Sequence, residues 1–154
     1  MRLTHSDVFR CSMETLFDHI ETPEKQKLWM KGLLANDLIS GPRGKGAKFR
    51  MVMQEGRKQA EYQGEVTAYE KPSRIEVRIA GGNLPEGMAM RADYRLSPTE
   101  GGTRLDYACC AEAEKIGFFM RLLMPLFELF GRWQLKRFFR TLHRLVEAPS
   151  SAAA

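Results

Sequence analysis

Apolar and polar residues alternate in short runs along most of the chain, and the period lengthens to three and four over the last quarter. Alternation predicts strands, because successive side chains of a strand point to opposite faces. Lys48–Gln54 sets Phe49, Met51 and Met53 against Lys48, Arg50 and Gln54, and Gln59–Tyr69 sets Tyr62, Gly64, Val66 and Ala68 against Gln63, Glu65 and Thr67. Ile75, Val77 and Ile79 alternate with Glu76 and Arg78; Met88, Met90, Ala92, Tyr94 and Leu96 alternate with Arg91, Asp93 and Arg95. In Thr103–Ala111, Leu105, Tyr107 and Cys109 oppose Arg104 and Asp106. Turn residues separate the runs at Glu55-Gly56, Lys71-Pro72-Ser73, Gly81–Gly87 and Ser97–Gly102. Short turns between consecutive strands make antiparallel neighbours. One apolar and one charged face mean a sheet covered on one side only.

Ahead of this sheet, Leu3–Arg10 reads as a first strand, with Leu3, His5, Asp7 and Phe9 on one face. Ser12 is a good cap for a short helix, Met13–Ile20, and Thr22-Pro23-Glu24 starts a second one that ends near Trp29. Leu33–Ser40 fits two strand patterns, with either Leu33, Ala35, Asp37 and Ile39 or Leu34, Asn36 and Leu38 inward. Gly41–Gly46 is glycine-rich, but it lacks the phosphate-loop spacing and no helix follows, so it reads as a hairpin turn.

Lys115–Glu147 is the cover for this sheet. Its apolar residues recur at helical spacing: Phe119, Leu122, Leu123, Leu126, Phe130, then Phe138, Phe139, Leu142, Leu145 and Val146. Pro125 predicts a kink or break near Leu122, and Gly131 is a second weak point. Ile116–Phe130 is apolar nearly all round, whereas a helix gripped on one side needs a single stripe. The surplus calls for a second subunit, a membrane surface or the short helices, and leans toward a homodimer. The stretch is too short, and too interrupted by Arg121 and Glu128, to cross a bilayer.

The chain has 154 residues, enough for one domain with a real core, taken as 1–147 and followed by a small, polar, frayed tail at 148–154. No signal peptide is recognisable, and the three cysteines, Cys11, Cys109 and Cys110, show no metal spacing and an odd count. Both features point to a reducing compartment, the cytoplasm. The net charge is +5, and Lys115, Arg121, Arg132, Lys136, Arg137, Arg140 and Arg144 outnumber Glu128 and Glu147 on the last helix. That excess reads as a solvated face, with contact to an anionic surface as the alternative; no nucleic-acid module accompanies it.

No zinc-hydrolase motif, paired-cysteine motif, nucleophile elbow or dinucleotide fingerprint is present, so neither a metal nor another cofactor is expected. His5, His19 and His143 are scattered over three elements. His5 and Asp7 alone form a candidate pair, as general base or as ligand-orienting groups, if their face is the sheet interior; otherwise they sit at the wet end of the strand.

The order of these signals resembles the START-like superfamily of helix-grip proteins, in its polyketide cyclase/dehydrase-like (SRPBCC) branch. The residues carrying the resemblance are Phe9–Trp29, Gly44-Lys45-Gly46-Ala47-Lys48-Phe49, Gly64-Glu65-Val66-Thr67, Lys71-Pro72-Ser73-Arg74-Ile75, Tyr94–Pro98 with Gly101–Leu105, and the closing Leu142, Leu145 and Glu147. It implies an α+β fold, a strongly curved seven-stranded antiparallel sheet around the long C-terminal helix, with an apolar small molecule held between them. Such a site would be lined by Trp29, Phe49, Met51, Met53, Tyr62, Val66, Val77, Met90, Tyr94, Leu105 and Tyr107 from the front of the chain. Phe119, Leu123, Leu126 and Phe130 would face them from the helix, and His5 and Asp7 would add polarity. The superfamily also holds enzymes, so a cyclase or dehydratase using His5, Asp7 and a tyrosine is the alternative. A third reading is a protein that docks on a membrane or partner through its last helix.

Overall fold

The computed structural model describes residues 2–113 and 117–147. Seven strands and three helices follow in the expected order: β1 (Arg2–Phe9), α1 (Met13–Glu21), α2 (Pro23–Trp29), β2 (Leu33–Ser40), β3 (Lys48–Glu55), β4 (Lys58–Glu70), β5 (Arg74–Gly81), β6 (Met88–Thr99), β7 (Gly102–Ala113) and α3 (Phe118–Glu147). Lys115 and Ile116 of the predicted helix, and the tail at 148–154, lie outside the described residues. The strands form one antiparallel sheet in the order β1-β7-β6-β5-β4-β3-β2. Each sequential hairpin pairs with its neighbour, and β1 returns to the far edge beside β7. The curved sheet and the long helix make a helix-grip fold.

Local chemistry sets the helix ends. Ser12 is extended and its hydroxyl accepts the Thr15 N–H at 3.1 Å, closing one of the open donors of α1. Pro23 opens α2, where its missing N–H costs nothing. Pro125 does not break α3, which runs as one helix from Phe118 to Glu147. The proline is exposed, so the helix loses one hydrogen bond on a solvent-facing stretch where its carbonyls can turn to water.

The core sits at one end of the grip. Phe9, Leu16, Phe17, Trp29, Leu105, Phe139 and Leu142 are almost wholly buried. α3 packs on β1, α1 and α2, and only its C-terminal half is drawn in: Phe139 and Leu142 are its buried residues. The helix touches β1 where Gly131 faces Leu3, and a Cβ there would stand 2.8 Å from Leu3 Cδ1. A larger residue would make the Leu3 side chain shift.

The opposite, convex face carries an ionic lattice. Arg74 bonds Asp93 at 3.0 Å, Arg91 bonds Glu76 at 2.9 Å and Glu112 at 2.6 Å, and Arg95 bonds Asp93 at 2.9 Å. This is the charged face read from the alternation. β2 fits neither pattern read from the sequence. Register shifts at Leu33/Ala35 and Leu38/Ser40 swap the faces along the strand, so Leu33 is buried while Leu34, Leu38 and Ile39 are exposed.

Candidate functional site: an apolar cavity and a basic groove

A cavity of about 320 Å³ lies between the concave face of the sheet, α2 and the middle of α3. Strand alternation delivers its sheet wall: Phe49, Met51 and Met53 from β3, Tyr62 from β4, Ile75, Val77 and Ile79 from β5, Met90, Ala92 and Tyr94 from β6, Tyr107 and Cys109 from β7. Trp29 closes the α2 side, and the helix adds Gly131, Gln134, Leu135, Phe138 and Phe139. Ring packing fixes the inner end. Phe139 stacks on Trp29 at 6.0 Å and meets Tyr107 edge-on at 5.1 Å, while Tyr107 meets Tyr94 at 4.9 Å.

Polar groups in this wall are few and placed apart. Tyr94 and Tyr107 are buried, and burial holds both phenols well above their ordinary range. They stay protonated and do not serve as bases near neutrality. At the rim, the Tyr62 hydroxyl donates to Glu55, and Asn83 donates to the same carboxylate. Burial, then the Glu55 bond, pushes the Tyr62 phenol up to about 12. On the α2 side the Asn36 amide donates to Gln26 Oε1 at 2.7 Å, and Gln26 donates to Ile20 O at 2.6 Å. Glycine shapes the floor at Gly64, where the Phe49 ring lies over the backbone and a Cβ would come within 2.2 Å of it.

Nine of the seventeen residues singled out from the sequence line this cavity: Trp29, Phe49, Met51, Met53, Tyr62, Val77, Met90, Tyr94 and Tyr107. Val66 lines a neighbouring depression with Phe49 and Val77, and Leu105 is solid core. Phe119, Leu123, Leu126 and Phe130 do not point back at the sheet. They are exposed, and none of them lines the cavity. The helix residues that do face the cavity, Gln134, Leu135, Phe138 and Phe139, lie further along α3 and were not among the seventeen. The signal in the sequence was the apolar stripe itself, which already included Phe138 and Phe139.

His5 and Asp7 share the inward face of β1 with Leu3 and Phe9, but they do not enter the cavity. With Lys136, Arg140, His143 and Arg144 they line a separate open groove between β1 and α3. The His5 ring lies flat against Phe139, 4.7 Å between centroids, and its Nε2 is buried without a hydrogen-bond partner. Burial lowers the His5 pKa, against the pull of Asp7 and with the help of Lys136. Asp7 accepts the Val8 N–H at 2.8 Å and stands 4.0 Å from His143. The acid/base pair needed inside the cavity by a cyclase using His5 and Asp7 is therefore not assembled there. Among the described residues no cluster of three His, Cys, Asp or Glu could hold a metal ion.

A one-sided curved sheet closing on a long helix around an apolar cavity defines a ligand-binding helix-grip protein. The chain belongs to the family described as polyketide cyclase / dehydrase and lipid transport, whose profile matches residues 1–147. No curated protein matches it in sequence. Among solved structures it is similar to a Staphylococcus aureus protein of unknown function (TM-score 0.76, 12% identity, covering 100% of this chain and 96% of that one). It also resembles Ara h 8.0201 (TM-score 0.72, 12% identity, 95% and 97%). The solution structure of the Aha1 dimer from Colwellia psychrerythraea is similar as well (TM-score 0.66, 18% identity, 96% and 97%). At these identities the structures share the fold alone.

Proposed function

We propose that the protein binds an apolar or aromatic small molecule, of lipid, quinone or polyketide-like type, in the cavity between sheet and helix, in the reducing environment of the cytoplasm. The observation that carries this reading is the cavity of about 320 Å³, walled by aromatic, methionine and isoleucine side chains. Small-molecule sites span roughly 300–1,000 Å³, so a compact ring system suits it better than a long diacyl chain. Methionines 51, 53 and 90 supply flexible, polarisable wall. Tyr94 and Tyr107, held protonated, would donate to a carbonyl or phenol oxygen on the ligand. Three free thiols, Cys11, Cys109 and Cys110, suit a reducing compartment.

The test is native mass spectrometry of the freshly purified chain, followed by organic extraction and identification of the released compound. A stoichiometric apolar adduct is expected, and Met90→Trp, which fills the cavity, should exclude it. A clean apo mass together with no uptake of fluorescent aromatic probes by the wild type would overturn the reading. Glu55 is the one carboxylate in the cavity wall among the described residues. A cyclase or dehydratase would have Glu55 as its candidate base, and Glu55→Gln would then abolish turnover while sparing binding.

A further inference from the structure

The outward face of α3 is divided along its length. At roughly 100° per residue, Phe119, Leu122, Leu126, Leu129, Phe130 and Trp133 fall within one arc of roughly 100°, on the side away from Leu135, Phe139 and Leu142. These six side chains are between 56% and 77% exposed. Lys136, Arg137, Arg140 and Arg144 continue the same arc toward the C-terminus. The helix thus presents an apolar half and then a cationic half on one continuous surface. Trp133 marks the boundary, with the Arg137 guanidinium 5.3 Å above its ring.

The cations on this face are not spent on the protein itself. Glu128 is held by Arg132 at 2.7 Å, and Glu147 accepts the Arg10 N–H at 2.9 Å and contacts His143 at 3.0 Å. Among the described residues Lys136, Arg140 and Arg144 have no carboxylate partner, and they converge on the groove beside β1.

We propose that this face docks on an anionic lipid bilayer, with the apolar half in the headgroup–acyl boundary and the cationic half against lipid phosphates. Charge decides between this occupant and a second copy. Two copies laid parallel along the whole face would bring each cation against its twin; laid antiparallel along the whole face, each would bury unpaired cations under apolar side chains, and copies overlapping only at their apolar halves would leave the cationic half without a partner. An anionic bilayer satisfies both halves, and an aromatic residue at the junction suits its interface. The docking stands apart from the cavity reading, since none of the six apolar residues lines the cavity.

The full chain would be sedimented with phosphatidylcholine vesicles, with and without about 30% phosphatidylglycerol, at about 50 mM and about 500 mM NaCl. Binding to the anionic vesicles at low salt, lost at high salt and weak without phosphatidylglycerol, is expected. Each cation near the surface is worth roughly fivefold in partitioning, so Arg140→Gln/Arg144→Gln should weaken binding roughly 30-fold. Leu126→Asp/Phe130→Asp should abolish it. Both variants change exposed residues, and unchanged circular dichroism and aromatic-probe uptake would show that fold and cavity survive. Equal binding to both vesicle types, or no binding at low salt, overturns the proposal. A concentration-dependent dimer in analytical ultracentrifugation, dissolved by Leu126→Asp/Phe130→Asp and with no vesicle binding, assigns the face to a second copy instead.

Discussion

Replacing Gly64 by alanine tests how the cavity floor is built. Gly64 pairs with Phe49 across β3 and β4, and the new Cβ would lie 2.2 Å from Phe49 Cζ and 2.4 Å from Cε2. The backbone at Gly64 is not left-handed, so alanine itself meets no strain there; the whole cost is the ring. Phe49 must swing off the strand, at the roughly 1–3 kcal/mol typical of overpacking. Removing the ring first changes the sign. In a Phe49→Ala background, Gly64→Ala meets no ring and recovers the roughly 0.5–1 kcal/mol that glycine costs within a strand. The two substitutions should therefore couple by about 2 kcal/mol or more, measured by urea unfolding of the four proteins under one set of conditions. The displaced ring has the cavity beside it, so Gly64→Ala should also weaken probe binding, and the double variant should regain it. An equal stability change from Gly64→Ala in both backgrounds would refute the reasoning.

His5 gives a pH signature. Its pKa is lowered from the ordinary 6.5, mainly by burial, so near and below that pH the unfolded chain binds more protons than the folded one. The contribution of His5 is complete above 6.5 and is lost as the pH falls through the lowered folded value. His5→Asn should lose less stability than the wild type between about pH 7.5 and pH 5 in urea titrations, and parallel losses would rule His5 out as the cause. Glu76, 9% exposed, holds Arg91 at 2.9 Å and Thr67 at 2.8 Å. Its arginine partners are partly exposed, so Glu76→Ala should cost only about 1–2 kcal/mol in thermal unfolding, against about 0.5 or less for the exposed Glu100→Ala; equal effects would remove the lattice as a source of stability.

Periodicity made the sheet legible and left the helix ambiguous. Strand alternation has two faces, and the arginines and carboxylates of β5, β6 and β7 mark the outer one, so Phe49, Met51, Tyr62, Val77, Met90, Tyr94 and Tyr107 could be placed inward from the sequence. β2 failed because a bulge breaks the period, and a bulge has no signature in a stretch as mixed as Leu33–Ser40. β1 was read on the correct face, with its surroundings left open between the sheet interior and the wet end of the strand. Alternation says which residues share a side, but not that the strand lies at the sheet edge, and there that side opens onto the groove beside α3.

For α3 the difficulty is composition. From Phe118 to Phe130 apolar residues occupy almost every direction around the helix, so the 3.6 period selects no stripe, and choosing Phe119, Leu123, Leu126 and Phe130 as core-facing had no polar face to check it. From Gly131 onward the polar residues return and the stripe becomes unique: Leu135, Phe138, Phe139 and Leu142 inward, Lys136, Arg140 and Arg144 outward. The buried residues of α3, Phe139 and Leu142, both lie in that half. The apolar half contributes no buried residue, so folding does not explain its composition, and eight large hydrophobic side chains from Phe118 to Phe130 stand in water at a cost in solubility. Such a segment is intelligible only through what covers it. One helix thus joins a gripped C-terminal half to an exposed apolar half, and hydrophobicity alone could not separate them.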